Sequence, residues 1–225
     1  MRRLESSIRL ATQTWGTPII TMTRQKIHKL VLHPQDENFA LPSWDGLIAR
    51  LREVAFLGDQ IGESLGERLG NPLEIEQPNR FLVGERFLQY ITFMGCSPAV
   101  ESTPPTDGSL DYCHIHFSKI YPEVRFRSAS QNVFARCPQC RKSIGNWAQA
   151  VSLWSKDASA VNFNCDKCAE PVSLTQLGWR HTAGFARLFI DVNSIYPQEA
   201  IPTDPFLSLL ETQTGTQWDY FFTDQ

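Results

Sequence analysis

Two Cys-x-x-Cys pairs are the residues of this sequence whose type and spacing point to a defined chemistry. Cys137 and Cys140 form the first pair, and Cys165 and Cys168 follow after 24 intervening residues. Each pair can form a tight turn that aims two thiolates at one point, and two such turns supply the four sulfur ligands of a tetrahedral zinc ion. The sequence therefore predicts one zinc ion per chain, bound by these four cysteines.

The predicted metal is structural, because four thiolates leave no open position at which zinc could activate water. One alternative is a redox-active dithiol, but this needs only one pair at the start of a helix, and no apolar helical pattern follows Cys140. Another is a pair of disulfides, which would need an oxidising compartment that nothing in the sequence indicates. Iron stays as the alternative metal.

The spacing of the four cysteines resembles a zinc ribbon that covers about residues 133 to 175, and the resemblance does not extend beyond this segment. Metal binding supplies about 10–16 kcal/mol of folding free energy in small zinc modules, and we expect the same role here. One departure is that Arg141 and Ala169 follow the two pairs, where ribbons often carry glycine for a left-handed turn. We therefore expect less regular turns.

The composition of the chain indicates a folded protein without a membrane span. Its 225 residues are 42% hydrophobic and 20% charged, which excludes a disordered chain. No run of about 18 apolar residues is present, and the basic start of the chain is not followed by the apolar segment of a secretion signal. Because thiols kept for a metal also suit a reducing interior, the expected location is the cytoplasm.

A strand, a proline-containing loop and an amphipathic helix occur twice in the sequence. The first copy has a strand at 29–34 and a helix that starts with Ser43 as its N-cap, and the second has a strand at 188–193 and a helix that starts with Asp204 as its N-cap. If this is not coincidence, both strands lie in one sheet with both helices packed on it. The sequence thus predicts an α+β fold, with a mixed or antiparallel sheet, two or more amphipathic helices and an embedded β-rich zinc ribbon.

The predicted organisation has three parts. Residues 1–21 are expected to be a flexible arm or an over-called start, since the first folded segment opens at Met22. The zinc ribbon, 133–175, is inserted into an α+β body made of residues 22–132 and 176–225. The middle of the body is rich in β-branched and aromatic residues, and the strands predicted there include 80–83, 87–94, 112–117 and 123–127.

Basic residues are concentrated around the predicted ribbon. From Lys119 to Arg187 there are ten Lys and Arg but only four Asp and Glu, although the whole chain has a net charge of −3. Interleaved aromatic residues suit base stacking and phosphate contact as well as a protein interface, so the predicted partner is a nucleic acid or a protein. The predicted binding residues are Arg125, Arg127, Arg141, Lys142, Trp147, Trp179 and Arg180. Alternatively, these cations only offset the charge of the zinc thiolates.

The segment from Trp179 to His181 has two possible roles. Together with Arg187, which follows shortly after, it brings an indole, two guanidinium groups and an imidazole close together just after the ribbon. These groups can form an anion-binding spot, with the arginine as the fork for a phosphate or carboxylate. They can also form the packing joint where the ribbon returns to the body, with Trp179 buried, and we favour the joint.

A second group of metal-binding residue types, Cys113 to His116, lies in a predicted strand. Alternation places His114 and His116 on one face and Cys113 on the other. We expect an exposed or hydrogen-bonded histidine pair, and thiols at Cys96 and Cys113 that only pack. Because no catalytic motif is present, the main prediction is a non-enzymatic binding protein. The alternative is an enzyme with a pocket in the body near His114 and His116.

Overall fold

A six-stranded antiparallel sheet is the frame of the protein, seen in a computed structural model that describes residues 28–61, 79–93, 100–106, 109–157, 162–195 and 199–224. With strands numbered along the chain, it contains β1 (Lys29–Pro34), β2 (Leu57–Gln60), β3 (Arg80–Val83), β5 (His114–Phe117), β10 (Ile190–Asn193) and β12 (Trp218–Thr223). Their spatial order is β12-β1-β10-β5-β3-β2. The predicted α+β fold is confirmed.

Four helices and three two-stranded ladders make up the other regular elements of the described residues. The ladders pair β4 (Ile91–Phe93) with β11 (Ala200–Pro202), β6 (Arg125–Ser128) with β9 (Ala183–Ala186), and β7 (Asn162–Asn164) with β8 (Pro171–Ser173). The helices are α1 (Asp45–Glu53), α2 (Phe87–Tyr90), α3 (Trp147–Trp154) and α4 (Asp204–Thr214), and a 3-10 turn covers Leu174–Gln176. None of these helices is long and apolar enough to cross a membrane.

The main sheet has an apolar face that two helices cover. Side chains alternate along each strand, so every second residue of the central strands points to this face. The cluster joins Leu30 and Leu32 of β1, Ile190 and Val192 of β10, Leu47 and Leu51 of α1, and Phe206 and Leu210 of α4. Because β1 pairs directly with β10, the prediction that the two similar segments share one sheet and pack their helices on it is confirmed.

The observed starts of the two helices correct both predicted caps. Helix α1 begins after Trp44, without any capping side chain, so Ser43 is not its N-cap. At α4 the cap is Thr203, whose hydroxyl accepts a hydrogen bond from the N–H of Phe206. Thr203 has the extended backbone that an N-cap requires, and Asp204 is the first helical residue.

The segment predicted as a strand at 87–94 is half helical. It begins with α2, and only β4 pairs as a strand, while residue 94 lies outside the described residues. Positions three apart share one side of a helical turn, and the rings of Phe87 and Tyr90 lie 5.5 and 5.9 Å from that of Phe56. Packing on Phe56 thus overrides the β propensity of the segment.

The cysteine-bearing segment leaves the main sheet from two neighbouring strands. Strand β5 leads into β6 and strand β9 leads into β10, so the β6–β9 ladder is a two-stranded stem. A second hydrophobic cluster, which we call the ribbon core, surrounds the cysteines and includes Phe126 and Phe185 from the stem. The stem therefore belongs to the packing of the cysteine-bearing segment as well as to its attachment.

We predict that Phe206→Ala destabilises the body strongly. Phe206 is 0% exposed, and its ring lies 4.3 Å from that of Phe56, so truncation leaves a cavity that costs about 3–5 kcal/mol. Urea denaturation in the presence of zinc measures the change in the free energy of unfolding. The control is Leu88→Ala, at a side chain that is 55% exposed, where a change within about 0.5 kcal/mol is expected. Equal losses in the two variants would contradict the assignment of this core.

Candidate functional site

The two Cys-x-x-Cys pairs bring four sulfur atoms together. All four Sγ atoms lie within 4.8 Å of one another. Cys137 faces Cys168 and Cys140 faces Cys165, each pair with its sulfurs 3.9 Å apart. A disulfide bond would need about 2.05 Å, whereas a tetrahedral ion with metal–sulfur bonds of about 2.3 Å needs sulfurs about 3.8 Å apart. The spacing therefore fits one metal ion bound by four thiolates.

Each pair of cysteines lies in the turn of a short antiparallel pairing, and the two turns have the same geometry. The N–H of Arg141 donates to the carbonyl of Cys137, and the N–H of Ala169 donates to that of Cys165, both at 2.9 Å. Arg141 and Ala169 both have a φ of 61°, although the left-handed conformation costs a side chain roughly 1–2 kcal/mol. The expectation of less regular turns is therefore wrong, because both positions adopt the glycine-like conformation without glycine.

The donor set has the chemistry of a structural metal site. Four thiolates select soft metals such as zinc or iron over magnesium or calcium. The N–H of Lys167 points at the Sγ of Cys165 at 3.4 Å, and this hydrogen bond is the largest of the causes that lower the pKa of the Cys165 thiol to about 7. At Cys168 the N–H of Glu170 also lowers the pKa, but burial and the neighbouring sulfurs outweigh it and raise that pKa to about 12. Such bonds favour the thiolate that binds metal. No other group of three or more metal-binding side chains comes together in the described part of the chain.

Cys113 lies in the core of the body, away from this cluster. It is 0% exposed, and burial raises the pKa of its thiol to about 12. A thiol that stays protonated is a poor ligand and a poor nucleophile. This placement agrees with the expectation that Cys113 only packs, while Cys96 lies outside the described residues.

Most of the predicted binding cations are exposed. Arg141 and Lys142 lie on the first cysteine turn and Arg180 follows the ribbon core. Arg125 is exposed on the stem, with its guanidinium 5.5 Å from the ring centroid of Tyr121. Among the described residues, no carboxylate lies within 4.0 Å of these four cations. They are therefore available to an anionic partner.

Arg127 is different, because it joins the stem to the main sheet. Its two Nη atoms donate to the two carboxylate oxygens of Asp191 at 2.7 and 3.1 Å, and its guanidinium lies 4.8 Å from the ring centroid of Phe189. Burial by itself raises the pKa of Asp191, but Arg127 and His116 outweigh it and hold that pKa below its usual range. The charge of Arg127 is thus already compensated inside the protein.

The predicted aromatic binding residues Trp147 and Trp179 belong to the ribbon core. Trp179 is 7% exposed, and its indole N–H donates to the carbonyl of Leu174 at 3.1 Å. Its ring centroid lies 5.3 Å from that of Phe126 and 5.6 Å from that of Trp147. Rings enclosed by other rings stabilise by packing, so Trp179 forms the expected packing joint.

A pocket of about 450 Å³ lies where this joint meets β12. Phe134, which is 49% exposed, lines it together with Tyr220 and Phe222 of β12. The ring of His181 stacks on that of Tyr220, with centroids 4.2 Å apart and planes inclined by 10°. The exposed guanidinium of Arg180 completes the wall. We call this the junction pocket, since its walls come from both the cysteine-bearing segment and the body.

The backbone of Arg180 and His181 is fixed in an uncommon conformation beside the junction pocket. Both residues have left-handed φ values, 51° and 57°, which persist only where surrounding contacts enforce them. Here the carbonyl of His181 accepts a hydrogen bond from the N–H of Phe222 at 2.9 Å. The imidazole Nδ1–H of His181 donates to the carbonyl of Tyr220 at 2.8 Å. The side chain of His181 is therefore held at the pocket by β12.

A second polar group lies on the face of the main sheet that the helices do not cover. His114 and His116 share this face, as predicted, and the Nδ1 of His116 lies 3.6 Å from Oδ2 of Asp191. The buried His114 donates from Nδ1 to the carbonyl of Tyr112 at 2.9 Å. Asp191 is not among the residues predicted from the sequence. The feature of the sequence that could have indicated it is a lone carboxylate in the apolar run 188–193. A charge buried in such a strand needs a partner.

Comparison of this chain with protein-family models, with curated proteins and with solved structures finds no match. The chemistry of the site therefore rests on the residues described above.

We predict that Cys140→Ser and Cys168→Ser each lose the bound metal, because three thiolates and a hydroxyl bind zinc far more weakly than four thiolates. Plasma emission spectrometry of the purified, reduced protein measures the metal content, which is expected to fall from one zinc per chain to well below one. Cys113→Ala is the matched control and should keep its metal, since Cys113 lies in the core of the body. Loss of metal in the control would show that the ligand set is different.

We predict that the stability of the protein falls as the pH is lowered from about 6.5 to about 4. Burial lowers the pKa of His114 to about 4, while an unfolded histidine titrates near 6.5. Between these values the unfolded chain binds a proton that the folded state excludes, which costs about 3 kcal/mol at the acid end. Burial also lowers the pKa of His33, so replacing His114 reduces this slope without abolishing it.

Urea denaturation across this pH range compares the wild type with His114→Gln. The variant should show the shallower slope, and Leu88→Ala, which removes no titratable group, should keep the slope of the wild type. Zinc content is followed in each sample, because acid also protonates the thiolates. Identical slopes in the wild type and His114→Gln would rule out His114 as the source.

Proposed function

We propose that this chain is a non-enzymatic binding protein whose cysteine-bearing segment is a zinc ribbon, and that it binds single-stranded nucleic acid at the junction pocket. The four-sulfur cluster supports a closed zinc site, in which the metal holds the two cysteine turns together and does no chemistry. Zinc is favoured over iron because zinc has no redox chemistry and is typically tetrahedral in structural sites with four cysteine ligands.

The junction pocket is the observation that carries the choice of partner. A volume of about 450 Å³ lies in the range of sites that enclose a small organic group. The exposed ring of Phe134 and the stacked pair of Tyr220 and His181 offer flat surfaces for a base, and Arg180 offers a fork for the adjoining phosphate. A base that is paired and stacked inside a duplex cannot enter such a pocket, so the expected ligand is a single strand.

The exposed cations of the ribbon supply the remaining attraction. Arg141 and Lys142 lie on the cysteine turn with no described carboxylate within 4.0 Å, and they suit contacts with the phosphate backbone. The zinc thiolate cluster carries a formal charge of −2, so part of the positive charge of Arg141 and Lys142 offsets it. The expected affinity is therefore modest and strongly dependent on salt.

A second candidate function is an enzyme that uses the polar face of the main sheet. The observation that favours it is the contact of His116 with the buried carboxylate of Asp191, because a carboxylate orients an imidazole for proton transfer. Among the described residues, no group of three or more metal-binding side chains forms at His116, and Arg127 already engages the carboxylate of Asp191, so the binding protein is the better supported function.

Fluorescence anisotropy with a labelled oligothymidylate tests the proposal. A strand of about 20 nucleotides exceeds the usual site size of about 4–16, and the zinc-loaded chain is titrated at about 50 mM salt. We predict that Phe134→Ala weakens binding roughly 5- to 150-fold, the loss of one stacked base. Leu153→Ala is the matched control, because Leu153 is also exposed, at 52%, and lies on α3. A duplex of the same length should bind more weakly than the single strand.

Two charge variants distinguish binding at the junction pocket from the general electrostatic attraction of the exposed cations. Arg180→Asn, which keeps a residue type that tolerates the left-handed backbone, should reduce affinity for the single strand. Reversal of Arg141 and Lys142 to Glu should weaken all nucleic acids and reduce the dependence on salt by about one ion per lost phosphate contact. No binding at about 10⁻⁴ M protein, or equal effects of Phe134→Ala and Leu153→Ala, would overturn the proposal and leave a protein as the better partner.

A further inference from the structure

A second cavity, of about 390 Å³, adjoins the junction pocket. Arg180, His181 and Tyr220 line both cavities, so the two lie next to each other at the turn that carries Arg180 and His181. The other walls come from the end of β1 and the loop after it, from the chain around the 3-10 turn, and from β9 and β12. We call this cavity the acceptor pocket, after the hydrogen-bond acceptors in its walls, which belong to His33, Glu37 and Asp219.

One of these acceptors is a histidine nitrogen without a hydrogen-bond partner among the described residues. His33 is 9% exposed, and its Nδ1 lies 2.8 Å from the carbonyl of Pro34, so Nδ1 carries the hydrogen and donates it. Burial lowers the pKa of His33, and the neutral ring leaves Nε2 as a lone-pair acceptor. This nitrogen stays open to the cavity. Because a buried acceptor ordinarily has a partner, Nε2 indicates a ligand that donates.

The residue beside Nε2 keeps this nitrogen uncovered. Gly184 of β9 also lines the acceptor pocket, and a Cβ atom at this position would lie 2.7 Å from Nε2 of His33 and 2.8 Å from Cε1 of Phe221. Any other residue would therefore place its side chain against the nitrogen and the ring. Glycine allows the close approach of the strands and leaves the space beside Nε2 free.

Two carboxylates complete the set of acceptors. Oδ1 of Asp219 accepts from the N–H of Tyr220 at 2.8 Å and lies 3.7 Å from Nδ1 of His181, which leaves Oδ2 for a ligand. In the described part of the chain no Lys or Arg nitrogen lies within 4.0 Å of Asp219 or Glu37. The acceptor pocket therefore suits a group that offers several N–H donors.

Guanine has the donors that this pocket lacks. Carboxylates beside a nucleic-acid site repel its phosphates, so they are favourable only where they face donors. The N1–H and the 2-amino group of guanine lie on one edge of the base and fit a carboxylate by two parallel hydrogen bonds. Thymine and uracil instead offer one N–H between two carbonyl oxygens, which the carboxylates repel. A volume of about 390 Å³ is in the range of sites for small organic groups.

We propose that the acceptor pocket binds a guanine base next to the base held in the junction pocket, so that the protein prefers single strands that contain guanine. The carboxylates of Asp219 and Glu37 and the Nε2 of His33 accept from N1–H and the 2-amino group. Arg180, which lines both cavities, holds the phosphate between the two nucleotides. This inference rests on the proposed function, because the junction pocket anchors the strand.

Fluorescence anisotropy of the zinc-loaded full chain tests the acceptor pocket with three labelled strands of about 20 nucleotides. The first is oligothymidylate, the second repeats thymine-thymine-guanine, and the third carries hypoxanthine, which lacks only the 2-amino group, in place of each guanine. We expect the guanine strand to bind at least about fivefold more tightly than oligothymidylate, the lower end of discrimination by a two-point base contact. The hypoxanthine strand should lose most of this gain, and Asp219→Asn should bring the ratio of the guanine and thymine affinities close to one.

The ratio of affinities is the readout, because removing any carboxylate strengthens the attraction of every strand. Asp36→Asn is the matched control: it changes a neighbouring carboxylate that bonds to the N–H of Asn38 and does not line the pocket, so it should keep the ratio. Phe134→Ala should weaken both strands and also keep the ratio. If Asp219→Asn does not fold, Glu37→Gln gives the result.

The failure of this inference differs from the failure of the proposed function. Equal affinity of the wild type for the guanine strand and oligothymidylate, with both still weakened by Phe134→Ala, would overturn the acceptor pocket alone. Absence of binding to all three strands would overturn both. Equal binding of guanine and hypoxanthine, an unchanged ratio in Asp219→Asn, or a lost ratio in Asp36→Asn would also contradict the assignment of guanine to this pocket.

Discussion

Strand β10 is hydrogen-bonded on both edges, to β1 on one side and to β5 on the other, and the rest of the protein is arranged around this pairing. Its alternating residues divide the molecule. Ile190 and Val192 close the apolar core under the helices, while Asp191 and Asn193 build the polar face. The chain immediately before it forms β9 of the stem. A shift of one residue in this register would exchange the two faces and misplace the stem.

The ion pair between Arg127 and Asp191 couples the cysteine-bearing segment to that register. Asp191 is buried within the sheet, and the guanidinium arrives from the stem strand β6 with two-point geometry. Taking both charges out of water offsets much of their attraction, so the pair adds little net stability, whereas one charge left alone would be costly. Its main effect is therefore positional, because only one placement of the stem satisfies both groups.

Local patterns in the sequence identified the parts of the structure that depend on neighbouring residues. The cysteine pairs, the strands at β1 and β10 and the two amphipathic helices follow from spacing and alternation within short windows. Contacts between distant residues were not accessible in this way. From the sequence alone Arg127 looks like a surface cation, because its partner Asp191 lies 64 positions later. The helical turn of α2 likewise depends on packing against the distant Phe56. The sequence likewise shows that Trp147 and Trp179 lie among basic residues, but not that their rings enclose one another.

The ribbon core explains why the candidate binding surface lies at the junction. The ribbon core packs aromatic rings and the four-sulfur cluster together with aliphatic side chains such as Ile144 and Leu174. This packing buries the rings of Trp179 and Phe185 and leaves the ring of Phe134 exposed at the edge of the ribbon core. The second aromatic wall, Tyr220, comes from β12 of the body, and hydrogen bonds to that strand help to hold the turn at His181. The pocket therefore needs the segment docked on the sheet, and a metal bound by the four cysteines would act on it indirectly, by keeping the docked segment folded.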